Sequence, residues 1–153
     1  MNLEPWRARS PLLSPLDDRA FEFLESVAEP MRLSAGEVLF RADTPANRFF
    51  LITTGTIALT ITPPSEPTVT VQTFGENSLI GLSWLLPPHR WQWTARAVDD
   101  VTLALFDANP VLAACETDSD LYRQLLTVVA RESGRRLQRL RIRFLDLYGK
   151  DQK

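Results

Sequence analysis

The chain has 153 residues, of which 44% are hydrophobic and 24% charged, with a net charge of −2. That length suits one domain with a sizeable core and excludes two full ones, and the slight acidity argues against a protein built mainly to hold nucleic acid, which needs a basic surplus. A single cysteine, Cys115, excludes an internal disulfide, and no apolar run approaches the ~20 residues that span a bilayer.

Residues 1–13 are polar and carry Pro5 and Pro11, which predicts a loose N-terminal arm. They lack the apolar core of a secretory signal, so the expected location is cytoplasmic. Ser14-Pro15 reads as an N-cap followed by proline at the first helical position. Leu16, Phe21, Leu24 and Val27 continue it as an amphipathic helix that Pro30 stops. From Met31 to Phe106 short β-type runs alternate with turn residues. The predicted strands are Met31–Leu33, Val38–Arg41, Phe49–Thr53, Thr56–Ile61, Thr68–Phe74, Leu79–Gly81, Trp93–Val98 and Val101–Phe106. Many short strands at this spacing predict a mainly β fold, an antiparallel sandwich or jelly roll (double-stranded β-helix) over about 31–106.

Helical signals then take over, about 109–147, with a tail at 148–153. Asn109-Pro110 opens a short helix to about Glu116, and Asp118 or Ser119 caps a long one ending near Leu147. Leu126, Val129, Ser133, Leu137, Leu140, Phe144 and Leu147 recur at three and four residues, one face along the helix. A helix this long outruns so small a barrel. Its apolar face either meets the same helix of a second copy, giving a homodimer, or folds back on its own barrel.

The order helix, jelly roll, short helix, long helix resembles a cyclic nucleotide-binding domain of the catabolite activator type. The local matches are Leu33-Ser34-Ala35-Gly36-Glu37-Val38-Leu39-Phe40, then Phe49-Phe50-Leu51-Ile52 with Thr54-Gly55, then Gly75, Ile80-Gly81 and Ala95-Arg96-Ala97. The resemblance covers about residues 14–147. It implies a phosphate-binding cassette within Gly75–Ala97, with Gly81, Leu82, Ser83, Trp84, Arg90, Trp91, Gln92, Trp93 and Thr94 as candidate ligand-binding residues.

Two positions depart from what the resemblance implies. The acid that would accept a ribose hydroxyl is Leu82, which has no acceptor; a buried hydroxyl left there loses roughly 1–3 kcal/mol. The phosphate arginine falls on Trp91, whose indole cannot make arginine's bidentate contact. Arg90 lies one residue away. In a regular strand it points to the other face; in loop conformation it is free to turn inward. The cassette is instead aromatic, holding Trp84, Trp91 and Trp93, three of the four tryptophans. In a regular strand Trp91, Trp93, Ala95 and Ala97 share one face and Arg90, Gln92, Thr94 and Arg96 the other; the resemblance, through the register of the family's pocket, implies that the first set points inward. The indoles either fill the old cavity or stack a flat ligand, with Ser78, Ser83, Gln92 and Thr94 clustered near them and the backbone at Leu82-Ser83 favouring an anion.

Nothing else in the chain suggests catalysis. One histidine, His89, and one distant cysteine cannot make a metal centre, and no Ser-His-Asp set or phosphate loop is present. Cys115 reads as a core residue, and Asp17-Asp18, Asp99-Asp100 and Asp118/Asp120 as caps and turns. Arg131, Arg135, Arg136, Arg139, Arg141 and Arg143 read as a solvated helix flank or as an anion- or partner-binding stripe. Val129, Ser133, Gly134, Leu137 and Leu140 are the candidates for contact with ligand or second copy, since related domains close this helix over the nucleotide base. Related regulators append a helix-turn-helix; about six residues follow Leu147, so no direct DNA binding is expected. The expected function is a non-catalytic sensor for a cyclic nucleotide or another flat anionic ligand, signalling through a dimerising helix, with no further cofactor and no membrane contact. The alternatives are a ligand-free scaffold or adaptor with a protein partner, and the sensor half of a transcription regulator.

Overall fold

Apolar residues on both faces of one sheet and on one face of another organise the molecule, for which a computed structural model describes residues 1–149. The first sheet runs β1 (Ala28–Leu33), β8 (Val101–Asp107), β3 (Arg48–Thr54) and β6 (Leu79–Ile80) in spatial order. The second runs β2 (Val38–Phe40), β7 (Thr94–Ala97), β4 (Ile57–Ile61) and β5 (Val69–Phe74). All pairings are antiparallel, as a jelly roll requires. Strand boundaries fall within one or two residues of those expected, except that β1 begins at Ala28 and carries Pro30 inside it. Proline is tolerated there because β1 lies at the sheet edge.

Phe49-Phe50-Leu51-Ile52 explains the layering. Alternate side chains of a strand face opposite sides. Phe50 and Ile52 enter the core between the sheets with Ile57, Leu59, Phe74 and Leu103. Phe49 and Leu51 enter a second core beneath the helices with Phe21, Phe106 and Leu125. A strand buried on both faces reads as a continuous apolar run.

The helices are α1 (Glu4–Arg9), α2 (Asp18–Val27), α3 (Ala108–Thr117) and α4 (Ser119–Gly149). Residues 1–13 are not a loose arm. They form α1 and a 3-10 turn, Pro11–Leu13, and bury Leu3, Leu12 and Leu13 in the helix-side core. Each such side chain contributes ~1.5–3 kcal/mol when fully buried. Nor does the next helix begin at Ser14-Pro15. Asp17 is its N-cap, accepting from the Ala20 N–H at 2.8 Å. Asp17 and Gln124 also bond reciprocally, at 2.8 and 2.9 Å, tying the start of α2 to α4.

The long helix extends to Gly149, past the expected end near Leu147, and residues 150–153 of the expected tail lie outside the described residues. Its contact with the domain also differs from the expected face. Leu121, Gln124, Leu125, Val128, Val129 and then Glu132 are the buried side chains, so the buried stripe keeps Val129 but is rotated away from Leu126, Ser133 and Leu137. Leu137, Leu140, Phe144 and Leu147 are exposed by 69%, 38%, 58% and 63%, which leaves the far half of the apolar stripe on the surface.

Candidate functional site

β6 ends at Ile80, and Gly81 turns the chain with φ of 85° into a 3-10 turn, Leu82–Trp84. The left-handed conformation suits glycine because it has no Cβ to clash. The chain then returns through Pro87-Pro88. Residues 89–91 pair with 43–46: the Trp91 N–H donates to the Thr44 carbonyl, and the Asp43 and Ala46 N–H groups donate to the Trp91 and His89 carbonyls. This pairing extends strand-like alternation back from β7. Trp91 is buried, Trp93 half-buried, Ala95 and Ala97 buried; Arg90, Gln92 and Arg96 are exposed.

Trp91 stacks on Phe40, with ring centroids 4.0 Å apart and planes at 16°. Its six-membered ring lies over Gly81, where a Cβ would come within 2.9 Å of two ring carbons. The indole therefore occupies space directly above the cassette turn. It does not fill the barrel mouth. Beside it lies a cavity of about 320 Å³, lined on the cassette side by Gly81, Leu82, Ser83, Arg90, Gln92 and Trp93. From the sheet come Phe40, Leu59 and Gln72, and from α4 come Ser133, Arg136, Leu137 and Leu140.

Arg136 was not separable from the other arginines of α4 by sequence. Its Nε donates to Glu132 Oε1 at 3.3 Å, its Nη2 donates to the Leu79 carbonyl, and its guanidinium lies 4.4 Å from the Phe74 ring centroid. Glu132 is itself buried. Burial pushes the guanidinium below its ordinary pKa, with the Glu132 carboxylate working against that shift. Spacing of four residues along α4 placed the pair, but only the tertiary position of the helix buries it. The solvated-flank reading of the arginines is thus corrected at Arg136. Arg143 is also engaged, donating to the Val71 carbonyl at 2.7 Å.

Four sequence candidates lie outside this cavity. Trp84 points to the helix-side core, where it stacks on Phe49 with centroids 4.6 Å apart. A 3-10 turn reverses direction within three residues, so Ser83 lines the cavity while its neighbour Trp84 enters the helix-side core. The Thr94 hydroxyl accepts from the Ala42 N–H at 3.1 Å and so faces the β2 side. Val129 belongs to the helix-side core. Gly134 has open space around its Cβ position, so no close packing explains it. His89 is exposed and donates from Nδ1 to the Trp84 carbonyl at 3.0 Å. Among the described residues no group of three His, Cys, Asp or Glu side chains is placed to hold a metal, and no helix is long and apolar enough to cross a membrane.

Comparison with known proteins bears on the fold. A family model described as the cyclic nucleotide-binding domain matches residues 30–118, more than half of the chain. The chain is similar to a solved Geobacter metallireducens GS-15 protein assigned as cyclic nucleotide-binding, with a TM-score of 0.80 and 21% identity over 90% of this chain and 98% of that one. It is similar to the N-terminal domain of a Streptomyces coelicolor transcriptional regulator, with a TM-score of 0.69 and 26% identity over 83% and 91%. A third likeness is to the Thermus thermophilus catabolite activator protein, with a TM-score of 0.68 and 23% identity over 92% of this chain but 63% of that chain. No curated protein matches the chain.

Proposed function

This chain belongs to the cyclic nucleotide-binding domain family, and we propose that it is a non-catalytic sensor whose small, flat ligand sits between the cassette and α4. One observation carries the reading. The cavity of about 320 Å³ has the cassette for one wall and Ser133, Arg136, Leu137 and Leu140 of α4 for another. That volume lies at the low end of the ~300–1,000 Å³ typical of ligand sites. A ligand there contacts both elements, so it changes the free energy of α4 against the barrel, which is what a switch requires. The similar N-terminal domain of a protein named as a transcriptional regulator supports the same role.

The output is the exposed stripe of α4. Leu137, Leu140, Phe144 and Leu147 follow one another at three and four residues, the spacing of a helix that packs against a second helix. A second copy of the chain supplies that helix, giving a two-fold pair. Leu137 and Leu140 then belong to both ligand wall and interface, which couples occupancy to assembly.

The ligand-free adaptor is favoured by a different observation, the Trp91 indole lying over Gly81. The space remaining beside it weighs towards the sensor. Intrinsic tryptophan fluorescence, titrated with cyclic AMP, cyclic GMP, cyclic dinucleotides and flat aromatic acids, separates the two. The sensor predicts a saturable change with at least one of these. Silence with all of them to millimolar concentration, with calorimetry agreeing, supports the adaptor.

A further inference from the structure

We propose that the cavity takes a planar aromatic carboxylate, with the acid on Arg136 and the ring against Trp91 and Trp93; this rests on the sensor reading and names its ligand class. The first ground is charge. Arg90 and Arg136 are the charged residues of the lining, and no acid joins them. An amine would enter without a partner, whereas an anion meets a cation.

The second ground is how Arg136 is held. Nε is taken by Glu132, Nη2 by the Leu79 carbonyl, and the guanidinium lies against Phe74. Nη1 has no hydrogen-bond partner among the described residues, and the side chain, 15% exposed, lines the cavity. A guanidinium carries five N–H donors in a rigid plane, so fixing one edge presents the other in a set direction. The donor is positioned before the ligand arrives, and little side-chain entropy remains to be lost on binding. Arg90, exposed and without an ion pair among the described residues, is a rim charge suited to attraction and not to anchoring.

The third ground is the remaining wall. Phe40, Leu59, Leu82, Leu86, Leu137 and Leu140 make it largely apolar, with two indoles among them. Flat rings stack on indoles. A sugar with several hydroxyls is a poor match, because neutral polar groups are few, namely Ser83, Gln72, Gln92 and Ser133. The Trp91 ring also covers Gly81, which narrows the space over the start of the turn.

Equilibrium titration of the full chain with 1-naphthoate, its neutral counterpart 1-naphthalenemethanol and cyclic AMP tests this, read by tryptophan fluorescence and calorimetry. The proposal predicts that 1-naphthoate binds about tenfold or more tightly than the alcohol. Arg136→Gln abolishes that preference and leaves alcohol binding in place, while Arg90→Gln changes acid affinity less than threefold. Because Arg136→Gln leaves the buried Glu132 charge with only the longer Arg135 contact, at 3.9 Å, the Glu132→Gln/Arg136→Gln pair is measured beside it, with folding checked by circular dichroism. Equal affinity for acid and alcohol, or an acid preference that survives in the folded double variant, overturns the proposal. Binding of cyclic AMP with no response to 1-naphthoate overturns the ligand class while keeping the sensor. No binding of any of the three overturns the ligand class, and silence extended to cyclic GMP and cyclic dinucleotides overturns the sensor as well.

Discussion

The Trp91 indole covers Gly81 so closely that a Cβ on the glycine would stand 2.9 Å from two ring carbons. The cassette turn and the floor of the cavity are therefore one packing unit. Gly81→Ala must both adopt φ near +85° and displace the indole. The first costs about 1–2 kcal/mol and the second about 1–3 kcal/mol. We expect a combined loss of about 2–5 kcal/mol, seen as a lower urea midpoint, together with a shifted tryptophan emission. An unchanged emission spectrum would separate the two residues.

The N-terminal segment is part of the core. Leu12 is 2% exposed and lies with Phe21, Phe49 and Leu125. Leu12→Ala is expected to cost about 2–5 kcal/mol in denaturant unfolding, as for other buried leucines. A loss below about 0.5 kcal/mol, the usual range for surface positions, would mean that the segment is detached in solution.

Asp17 gives the fold an acid-sensitive joint. Its carboxylate accepts from the Ala20 N–H and from the Gln124 side chain, in that order of effect, and both hold its pKa below the ordinary 3.8. A carboxyl depressed in the folded state stabilises the fold above its unfolded pKa, and that contribution fades as pH falls through the folded value. Asp17→Asn removes the titration while keeping an N-cap. Its thermal midpoint is expected to fall less steeply than wild type below about pH 4. Parallel acid limbs for the two proteins would exclude the linkage.

Leu137 carries the proposed assembly. It is 69% exposed in the single chain, so Leu137→Asp leaves the monomer fold intact. Sedimentation is expected to show a dimer for wild type and half that mass for the variant, with matching circular dichroism. Wild type sedimenting as a monomer removes the interface.

The sequence was clearest where local chemistry repeats. Gly55 and Gly81 mark turns with positive φ, and the alternation from Trp91 to Ala97 separates buried Trp91, Ala95 and Ala97 from exposed Gln92 and Arg96, while Trp93 and Thr94 are both half-buried. Other parts had no periodic signal. Leu3, Leu12 and Leu13 are spread over one turn of α-helix and one of 3-10 helix, too short for a pattern to emerge. Along α4 the arginines look alike. Arg136 differs only because the helix crosses the barrel with that residue inward, which local spacing does not encode. Trp84 illustrates the same point in a turn, adjacent to cavity-lining Ser83 yet packed in the helix-side core.

Coupling between the cavity and α4 is measured most directly by hydrogen exchange across Ser133–Leu140, with and without saturating 1-naphthoate. Slower exchange in that stretch on binding is the predicted result. Calorimetric evidence of binding with unchanged exchange there would contradict it.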